Sequence, residues 1–310
     1  MKLEEKSVLL SRWNVLKHWN DKEWWYTGVY DPRTGVFFAF YFTRVNITDH
    51  FSFTVFDPAQ STPKKFSCNF YLDKLQEKNK LCLNYRSRSL LISYNGDENN
   101  GWKFKFENKD FDVELDINAV STPFTKFDNN FVNIYSLMHF FHSSVKGYVK
   151  TKAITYSIDN ALCYYDHCFG RVPRRSGWHW LAVQDSNIAL ASLVNYGPYP
   201  QKYTQVYFKE VEKDLKPHHW YRLNQDVSFE HDSSKDLTSQ WKVTSPDMDL
   251  TVTPLSYVSK TTKIPPFLPF LIKVTHSEIF VKASGFVRVD GIWIGVEDMY
   301  GIMEEHYGKW

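Results

Sequence analysis

The stretch that decides the fold alternates strictly between apolar and acidic residues: Phe111-Asp112-Val113-Glu114-Leu115-Asp116-Ile117. A period of two sends successive side chains to opposite faces, so this stretch predicts a strand with one dry and one wet face. Residues 102–106 alternate aromatic rings with lysines in the same way. A hairpin over 107–110 would bring together three cross-strand pairs: Lys105 with Asp112, Lys103 with Glu114, and Phe104 with Val113.

Further short strands are indicated outward from this hairpin. Residues 51–55 also alternate, and the turn dipeptides Asn95-Gly96 and Asp290-Gly291 separate other apolar runs. Residues 36–42 are apolar on both faces and therefore require cover on both sides. One short helix is predicted, over 5–19, from its apolar stripe. Many short strands, together with an aromatic content of 17%, favour an all-β sandwich or barrel.

The chain also repeats itself. Two sets of residues recur at nearly one offset: Trp102 and Asp110 as Trp241 and Asp249, and Gly147 as Gly285. The repeat predicts an all-β fold of two tandem antiparallel barrels or sandwiches with few short helices, covering 1–174 and 175–310. A barrel of about eight strands has room for one small ligand.

Composition argues against several classes of protein and partner. The 37 Lys and Arg residues nearly balance the 35 Asp and Glu residues, and no clustered basic face indicates a nucleic-acid partner. Four cysteines in 310 residues are not a disulfide scaffold. The longest apolar run, 264–272, contains three prolines and is too short to span a bilayer. No apolar leader follows the first charged residues, so we expect a cytoplasmic protein. We also expect a monomer or homodimer without a transmembrane segment.

The stretch that carries the chemistry is Cys163-Tyr164-Tyr165-Asp166-His167-Cys168-Phe169-Gly170. A carboxyl in apolar surroundings holds its proton more tightly, so Asp166 is the candidate acid. Tyr164 shares its face of the strand, whereas Tyr165 and His167 point the other way. We expect Asp166 to project into an enclosed aromatic chamber. The alternative is a structural aspartate that caps the turn before Gly170 or pairs with an arginine of 171–175.

A second polar run lies upstream. His139 would share a face with apolar neighbours and could orient Asp166, although a histidine in this setting is more often a core residue. His142 would lie on the opposite face. Strand spacing separates the histidines and cysteines, so neither a metal nor a cofactor is expected. The candidate substrate-binding residues, mostly aromatic, are Tyr135, His142, His167, Trp178, Trp180, Trp25, Phe40 and Glu297. Glu297 lies near the position in the second half that matches Asp166, and it either faces the domain junction or, as we favour, ends a strand in solvent.

The chain resembles the carotenoid 1,2-hydratase/AttH superfamily of lipocalin-like proteins, which includes Diels–Alderases and other cyclases that act on polyketides. The shared pattern comprises four short runs: Tyr135-Ser136, Gly147-Tyr148-Val149, Tyr164 to Gly170, and Trp178-His179-Trp180. The resemblance implies two tandem lipocalin-like barrels with a pocket between or within them.

The resemblance also implies roles for particular residues. In the carotenoid hydratases the aspartate of this run is thought to protonate an isolated double bond, and Asp166 occupies its position. Tyr164 occupies the tyrosine position, and His139 matches an upstream histidine implicated there. This chain departs from the hydratases at Cys168-Phe169, where they usually have Asn-Trp.

Three functions follow as hypotheses. The first is a cofactor-free enzyme that folds or protonates a hydrophobic, polyene-like natural product, by cyclisation, cycloaddition or hydration. Holding one reactive conformer and aiming donors at developing charge would supply the rate. The second is a carrier that binds such a ligand without catalysis. The third is a scaffold whose aromatic surface binds another protein.

Overall fold

A computed structural model describes most of the chain in thirteen stretches: 21–45, 48–60, 62–71, 76–77, 80–97, 99–119, 124–130, 133–171, 175–197, 200–211, 215–231, 237–264 and 272–309. The helix predicted over 5–19 lies outside these residues. The few short helices that we expected are absent from the described part of the chain, which contains strands and no helix. It therefore includes no helix long and apolar enough to cross a membrane.

The first sheet has twelve antiparallel strands. In chain order they are β1 (Asp21–Asp31), β2 (Val36–Val45), β3 (Thr48–Phe56), β4 (Lys64–Phe70), β5 (Gln76–Glu77), β6 (Lys80–Arg86), β7 (Leu91–Asp97), β8 (Gly101–Glu107), β9 (Phe111–Asn118), β10 (Phe124–Asn130), β11 (Asn133–Thr151) and β12 (Thr155–Arg171). Their order across the sheet is β4-β3-β2-β1-β12-β11-β9-β8-β7-β6-β5, and β10 pairs with β11. All four cysteines lie in this sheet as free thiols.

The second sheet has nine strands. They are β13 (Arg175–Gln184), β14 (Ile188–Tyr196), β15 (Gln201–Phe208), β16 (His219–Arg222), β17 (Ser228–His231), β18 (Trp241–Ser245), β19 (Met248–Ile264), β20 (Ile272–Val289) and β21 (Ile292–Lys309). Their order is β16-β15-β14-β13-β21-β20-β19-β18-β17, which repeats the order β4-β3-β2-β1-β12-β11-β9-β8-β7 of the first sheet. Trp102 and Trp241 therefore occupy equivalent strands, β8 and β18.

The described residues form two compact units, one of 21–55 with 65–171 and one of 56–64 with 175–309. The domain ranges 1–174 and 175–310 stay a prediction, because residues 1–20 and 172–174 lie outside the described part.

Each sheet curls around its own core. In the first, Phe40 on β2 stacks on Phe104 on β8 at 3.8 Å between ring centroids, although these strands are far apart in the sheet order. In the second, the ring of His179 on β13 lies 5.4 Å from that of Trp241 on β18. These contacts require each sheet to be strongly curved. The twist between adjacent strands adds up across the sheet and produces this curvature. The prediction of an all-β fold with two tandem barrel-like sheets is confirmed.

The hairpin of β8 and β9 forms with the predicted dry and wet faces but a different register. Phe104 is opposite Leu115 rather than Val113. The ion pairs on the wet face are Lys103 with Asp116 at 3.4 Å and Lys105 with Glu114 at 3.7 Å. The register differs by two positions because Asn108 begins the turn one residue later. Its Oδ1 accepts hydrogen bonds from the amides of residues 110 and 111, at 2.8 Å each.

The two repeated glycines are required for the same structural reason in both sheets. Gly147 on β11 and Gly285 on β20 have φ angles of 135° and 151°, beside shifts in strand register. A Cβ at Gly147 would lie 2.0 Å from the carbonyl oxygen of Glu114, and one at Gly285 would lie 2.1 Å from that of Asp249. Only glycine permits this backbone approach at a bulge.

Candidate active site

Strand β12 carries different residues on its two faces. Cys163 and Tyr165 belong to the buried core of the first unit, together with Trp25 of the neighbouring strand β1. Because side chains alternate along a strand, Tyr164 and Asp166 lie on the opposite face. Asp166 therefore does not project into the core of the first barrel, and the enclosed aromatic chamber expected around it stays a prediction. Its side chain is nevertheless buried, with 5% of the residue exposed.

The two oxygens of the Asp166 carboxyl differ in their hydrogen bonding to the described residues. The hydroxyl of Tyr164 donates a hydrogen bond to Oδ2. Oδ1 is buried and has no hydrogen-bond partner among the described residues. Burial raises the pKa of Asp166 from 3.8 to about 7, and the hydrogen bond from Tyr164 opposes that rise. At neutral pH this carboxyl therefore carries a proton for a large part of the time.

Asp166 is one member of a row that crosses four neighbouring strands. Tyr41 on β2 pairs with Tyr26 on β1, Tyr26 pairs with Asp166 on β12, and Asp166 pairs with His139 on β11. The rings of Tyr26 and Tyr164 lie 5.7 Å apart, and those of Tyr26 and Tyr41 lie 6.5 Å apart. The acid is thus bordered by phenol rings within its own sheet. Sequence reasoning missed Tyr26 and Tyr41, because only the register brings them beside the acid.

Gly28 makes room for this arrangement. It is the register partner of Tyr164, and a Cβ at this position would lie 3.3 Å from Cε1 of Tyr26 and 3.5 Å from Cδ1 of Tyr164. A larger residue would push apart the two rings that border Asp166.

The upstream candidates are placed by their backbone alone. His139 is the register partner of Asp166, and Tyr135 is that of Gly170. Directly opposed residues on antiparallel strands have Cα atoms about 5 Å apart. His139 is therefore adjacent to the acid in the sheet, and its catalytic role stays a prediction.

His142 departs from simple alternation. It is buried and has a φ of 57°, within a register shift that runs from Phe140 to Ser143. A bulge of this kind adds a residue to one strand, so counting by twos from His139 does not assign the face of His142.

Three predicted substrate-binding residues lie in the core of the first unit. The ring of His167 stacks on that of Trp25 at 5.0 Å, and Phe40 packs on Phe104. Nε2 of His167 also contacts Oε1 of Glu23 at 2.9 Å, with both side chains fully buried. His167, Trp25 and Phe40 therefore do not share the face of Asp166. Glu23 was missed, because only the pairing of β1 with β12 brings it to His167.

The remaining candidates belong to the second unit. The indole N–H of Trp178 donates to Oε2 of Glu304 at 2.9 Å, and its ring stacks on His306 at 3.6 Å. Trp180 is buried against Tyr203. Glu297 is exposed to solvent, as one of the two alternatives predicted, but it lies within β21 and not at the end of a strand.

Lys22 is a further titratable group that sequence reasoning missed. It lies on the same face of β1 as Tyr26, four residues earlier. Burial lowers the pKa of its amine from 10.5 to about 6. An uncharged base therefore lies at pH 7 on the strand that borders the acid.

An open depression of about 620 Å³ lies on β19 and β20 of the second unit. Its lining residues are Thr261, Lys263, Lys273 and Thr275. Two ammonium groups and two hydroxyls do not suit an apolar ligand, so this depression does not match the predicted pocket.

The chain has the predicted lipocalin-like fold, and several solved structures have a similar fold. Kievitone hydratase from Nectria haematococca has a TM-score of 0.66 at 12% identity, over 92% of this chain and 88% of that chain. A putative AttH (NE1406) from Nitrosomonas europaea has a TM-score of 0.61 at 13% identity, over 99% and 98%. CghA with Sch210972 has a TM-score of 0.62 at 9% identity, over 98% and 92%. At these identities the likeness concerns the fold.

The chain itself belongs to the family described as Domain of unknown function (DUF2804), whose model matches residues 4–310. No curated protein matches the chain.

Proposed function

We propose that this protein is a cofactor-independent enzyme of natural product biosynthesis, which binds a hydrophobic, alkene-containing substrate and donates a proton from Asp166 to it. The observation that carries the proposal is the buried carboxyl with a pKa near 7, one oxygen of which has no hydrogen-bond partner among the side chains that the structure describes. Buried polar atoms in proteins are rarely unpaired, and an unpaired one in a row of aromatic rings favours a role toward a ligand. A general acid works best when its pKa is near the operating pH.

The hydrogen bond from Tyr164 determines which oxygen carries the proton. Because Oδ2 accepts that bond, the acidic hydrogen is placed on Oδ1. Transfer of this proton to one alkene carbon uses the π electrons to form a C–H bond and leaves a cation on the other carbon. The faces of Tyr26 and Tyr164 would stabilise that cation. Water then adds and returns a proton to the carboxylate, which completes a hydration.

Cyclisation uses the same first step. A second double bond of the substrate attacks the cation in place of water, and loss of a proton to the Asp166 carboxylate restores the acid. Cycloaddition would need the binding site without the proton transfer. The raised pKa of Asp166 therefore favours hydration or proton-initiated cyclisation over cycloaddition.

His139 is proposed as a positioning residue for the acid. Its support is the register that places it opposite Asp166. We expect His139→Gln to alter the pH profile of turnover more than the binding of substrate.

The experiment uses a panel of prenylated phenols and linear polyenes, including kievitone, in heavy water. Wild-type protein should form a product with one deuterium on carbon, detected by mass spectrometry. Asp166→Asn should reduce turnover by about 100-fold or more while substrate binding is retained. Asp159→Asn is the matched control, because Asp159 lies exposed on the same strand.

Other outcomes identify the alternatives. Turnover without deuterium on carbon would indicate cycloaddition and exclude Asp166 as the proton donor. Saturable binding with no turnover of any compound, unchanged in Asp166→Asn, would indicate a carrier of a hydrophobic ligand.

A further inference from the structure

The second unit contains an acid–base cluster of its own, centred on His179 of β13. Nδ1 of His179 lies 2.9 Å from the hydroxyl of Tyr196 on β14. Its Nε2 lies 3.2 Å from the hydroxyl of Tyr307 on β21 and 3.5 Å from Oε1 of Glu305. Both imidazole nitrogens are therefore engaged, one by a phenol and the other by a phenol and a carboxylate.

A glycine separates the two phenols. Gly177 is the register partner of both Tyr196 and Tyr307, so the three residues form one row across β14, β13 and β21. A Cβ at Gly177 would lie 3.0 Å from Cδ1 of Tyr307, and the ring of Tyr307 therefore needs the glycine. The absence of a side chain at Gly177 lets the ring of Tyr307 pack against the backbone of β13 beside His179.

The two phenols are reachable from solvent. Tyr196 is 39% exposed and Tyr307 is 48% exposed. The side chains of His179 and Glu305 are 8% and 20% exposed, so the acid–base pair lies beneath the phenols. The rings of Phe229 and Trp241 are each 5.4 Å from the imidazole on its inner side.

The corresponding strands of the first unit show a contrast. Glu23 on β1 and His167 on β12 also form a carboxylate–imidazole pair between these two strands, but both are fully buried. A pair that only ties two strands together needs no access to solvent. The partial exposure of the second pair, between two exposed phenols, indicates a binding role.

The charges of the cluster indicate which kind of ligand it would bind. The hydrogen bond from His179 lowers the pKa of Glu305, so this group is a carboxylate that accepts hydrogen bonds. Burial raises the pKa of Tyr307 to about 12 and also raises that of Tyr196, so both phenols remain neutral donors. A carboxylate disfavours an anionic ligand. A neutral hydroxyl both donates to the carboxylate and accepts from a phenol.

We propose that His179, Glu305, Tyr196 and Tyr307 form a second binding site, which takes a neutral ring compound with a hydroxyl group, a phenol or an enol. The ligand ring packs on the exposed tyrosines, and its hydroxyl donates a hydrogen bond to the carboxylate of Glu305, which His179 holds in place. This site is built from strands of the second unit alone and does not depend on the function proposed for Asp166.

The test uses the full chain and the neutral probe 4-methylphenol, with binding measured by saturation-transfer NMR. We expect saturable binding that weakens by at least about 10-fold in His179→Gln and in Glu305→Gln. The matched probe 4-methylanisole lacks the hydrogen-bond donor and should also bind at least about 10-fold more weakly. His219→Gln, an exposed histidine of the same unit, should bind 4-methylphenol as the wild type does.

Two further variants distinguish a loss of binding from a loss of the fold. Tyr196→Phe and Tyr307→Phe keep the rings at exposed positions and remove only the hydroxyls, so they should stay folded and bind the probe more weakly. The proposal is overturned if 4-methylphenol does not bind saturably, if 4-methylanisole binds equally well, or if both phenylalanine variants retain wild-type affinity. In each of these cases the cluster only ties strands together.

Discussion

Asp166 and His167 are adjacent in the sequence and lie on opposite faces of β12. Asp166 is bordered by Tyr164 and Tyr26, whereas His167 reaches the core and contacts Glu23. These neighbouring residues thus separate two tasks: the proton donation proposed for Asp166 on one face, and the attachment of β12 to β1 on the other. The two tasks can therefore be altered independently by substitution.

We expect Asp166 to reduce stability as pH rises. Its folded pKa of about 7 exceeds the ordinary value of 3.8, so the folded protein binds this proton more tightly than the unfolded chain. The cost is absent below 3.8, develops as pH rises to about 7, and is constant above that value. Asp166→Asn carries no charge, so its stability advantage over wild type should be larger at pH 8 than at pH 5 by about 2–3 kcal/mol. Urea midpoints at the two pH values measure this, and equal pH dependence of the two proteins would contradict the assignment.

Tyr164→Phe should move the titration of Asp166 to higher pH. The tyrosine hydroxyl stabilises the charged carboxylate, so its removal favours the protonated form. A hydrogen bond to a charged group contributes about 1.5–3 kcal/mol, which corresponds to a rise of roughly one to two pH units. Carbon NMR of ¹³C-labelled aspartate, assigned with Asp166→Asn, measures it directly. Tyr148→Phe is the control, because that tyrosine donates to Asp112 instead, and a downward shift in Tyr164→Phe would refute the prediction.

Glu23→Ala should destabilise the first unit strongly. The substitution leaves a ring nitrogen of the fully buried His167 without its carboxylate partner, and depriving a buried polar group of its hydrogen-bond partner typically costs about 1–3 kcal/mol. Glu114→Ala is the comparison, since Glu114 pairs with Lys105 at the surface and should cost less than about 1 kcal/mol. Urea unfolding measures both. Similar losses in the two variants would show that the Glu23 pair contributes no more than a surface pair.

Alanine at either repeated glycine should be poorly tolerated. At Gly147 and Gly285 the added Cβ would overlap a carbonyl oxygen of the adjacent strand, at a φ that alanine rarely adopts. We expect each substitution to cost about 3 kcal/mol or more in unfolding free energy. Gly295→Ala is the matched control, because its Cβ would meet only a ring atom of Phe286 at 3.8 Å. A loss at Gly147 no larger than that at Gly295 would argue against the close approach.

The β8–β9 hairpin shows which structural features the local sequence pattern can predict. Alternation correctly assigned the dry and wet faces of 102–106 and 111–117. The register was wrong by two positions, because the side chain of Asn108 determines where the turn begins. Face assignment depends on a period of two along one strand, whereas register depends on the atoms of the turn.

The candidate site was predictable only in part. The spacing of Tyr164 and Asp166 correctly placed both on one face, and the structure joins them by a hydrogen bond. Tyr26, Lys22 and Glu23 were missed, because they come from a strand more than a hundred residues earlier in the chain. Their proximity follows from the pairing of β1 with β12, which no local pattern encodes.

By itself, the sequence determined that this chain forms strands, that it repeats, and that Tyr164 and Asp166 share a face, since each of these follows from spacing along the backbone. Tertiary structure alone decided which face of β12 became the core. Both faces carry aromatic residues, so hydrophobicity does not distinguish them. The choice was made by the partners on β1 and β2, where Trp25, Val29 and Phe40 enclose one face while Tyr26 and Tyr41 border the acid on the other.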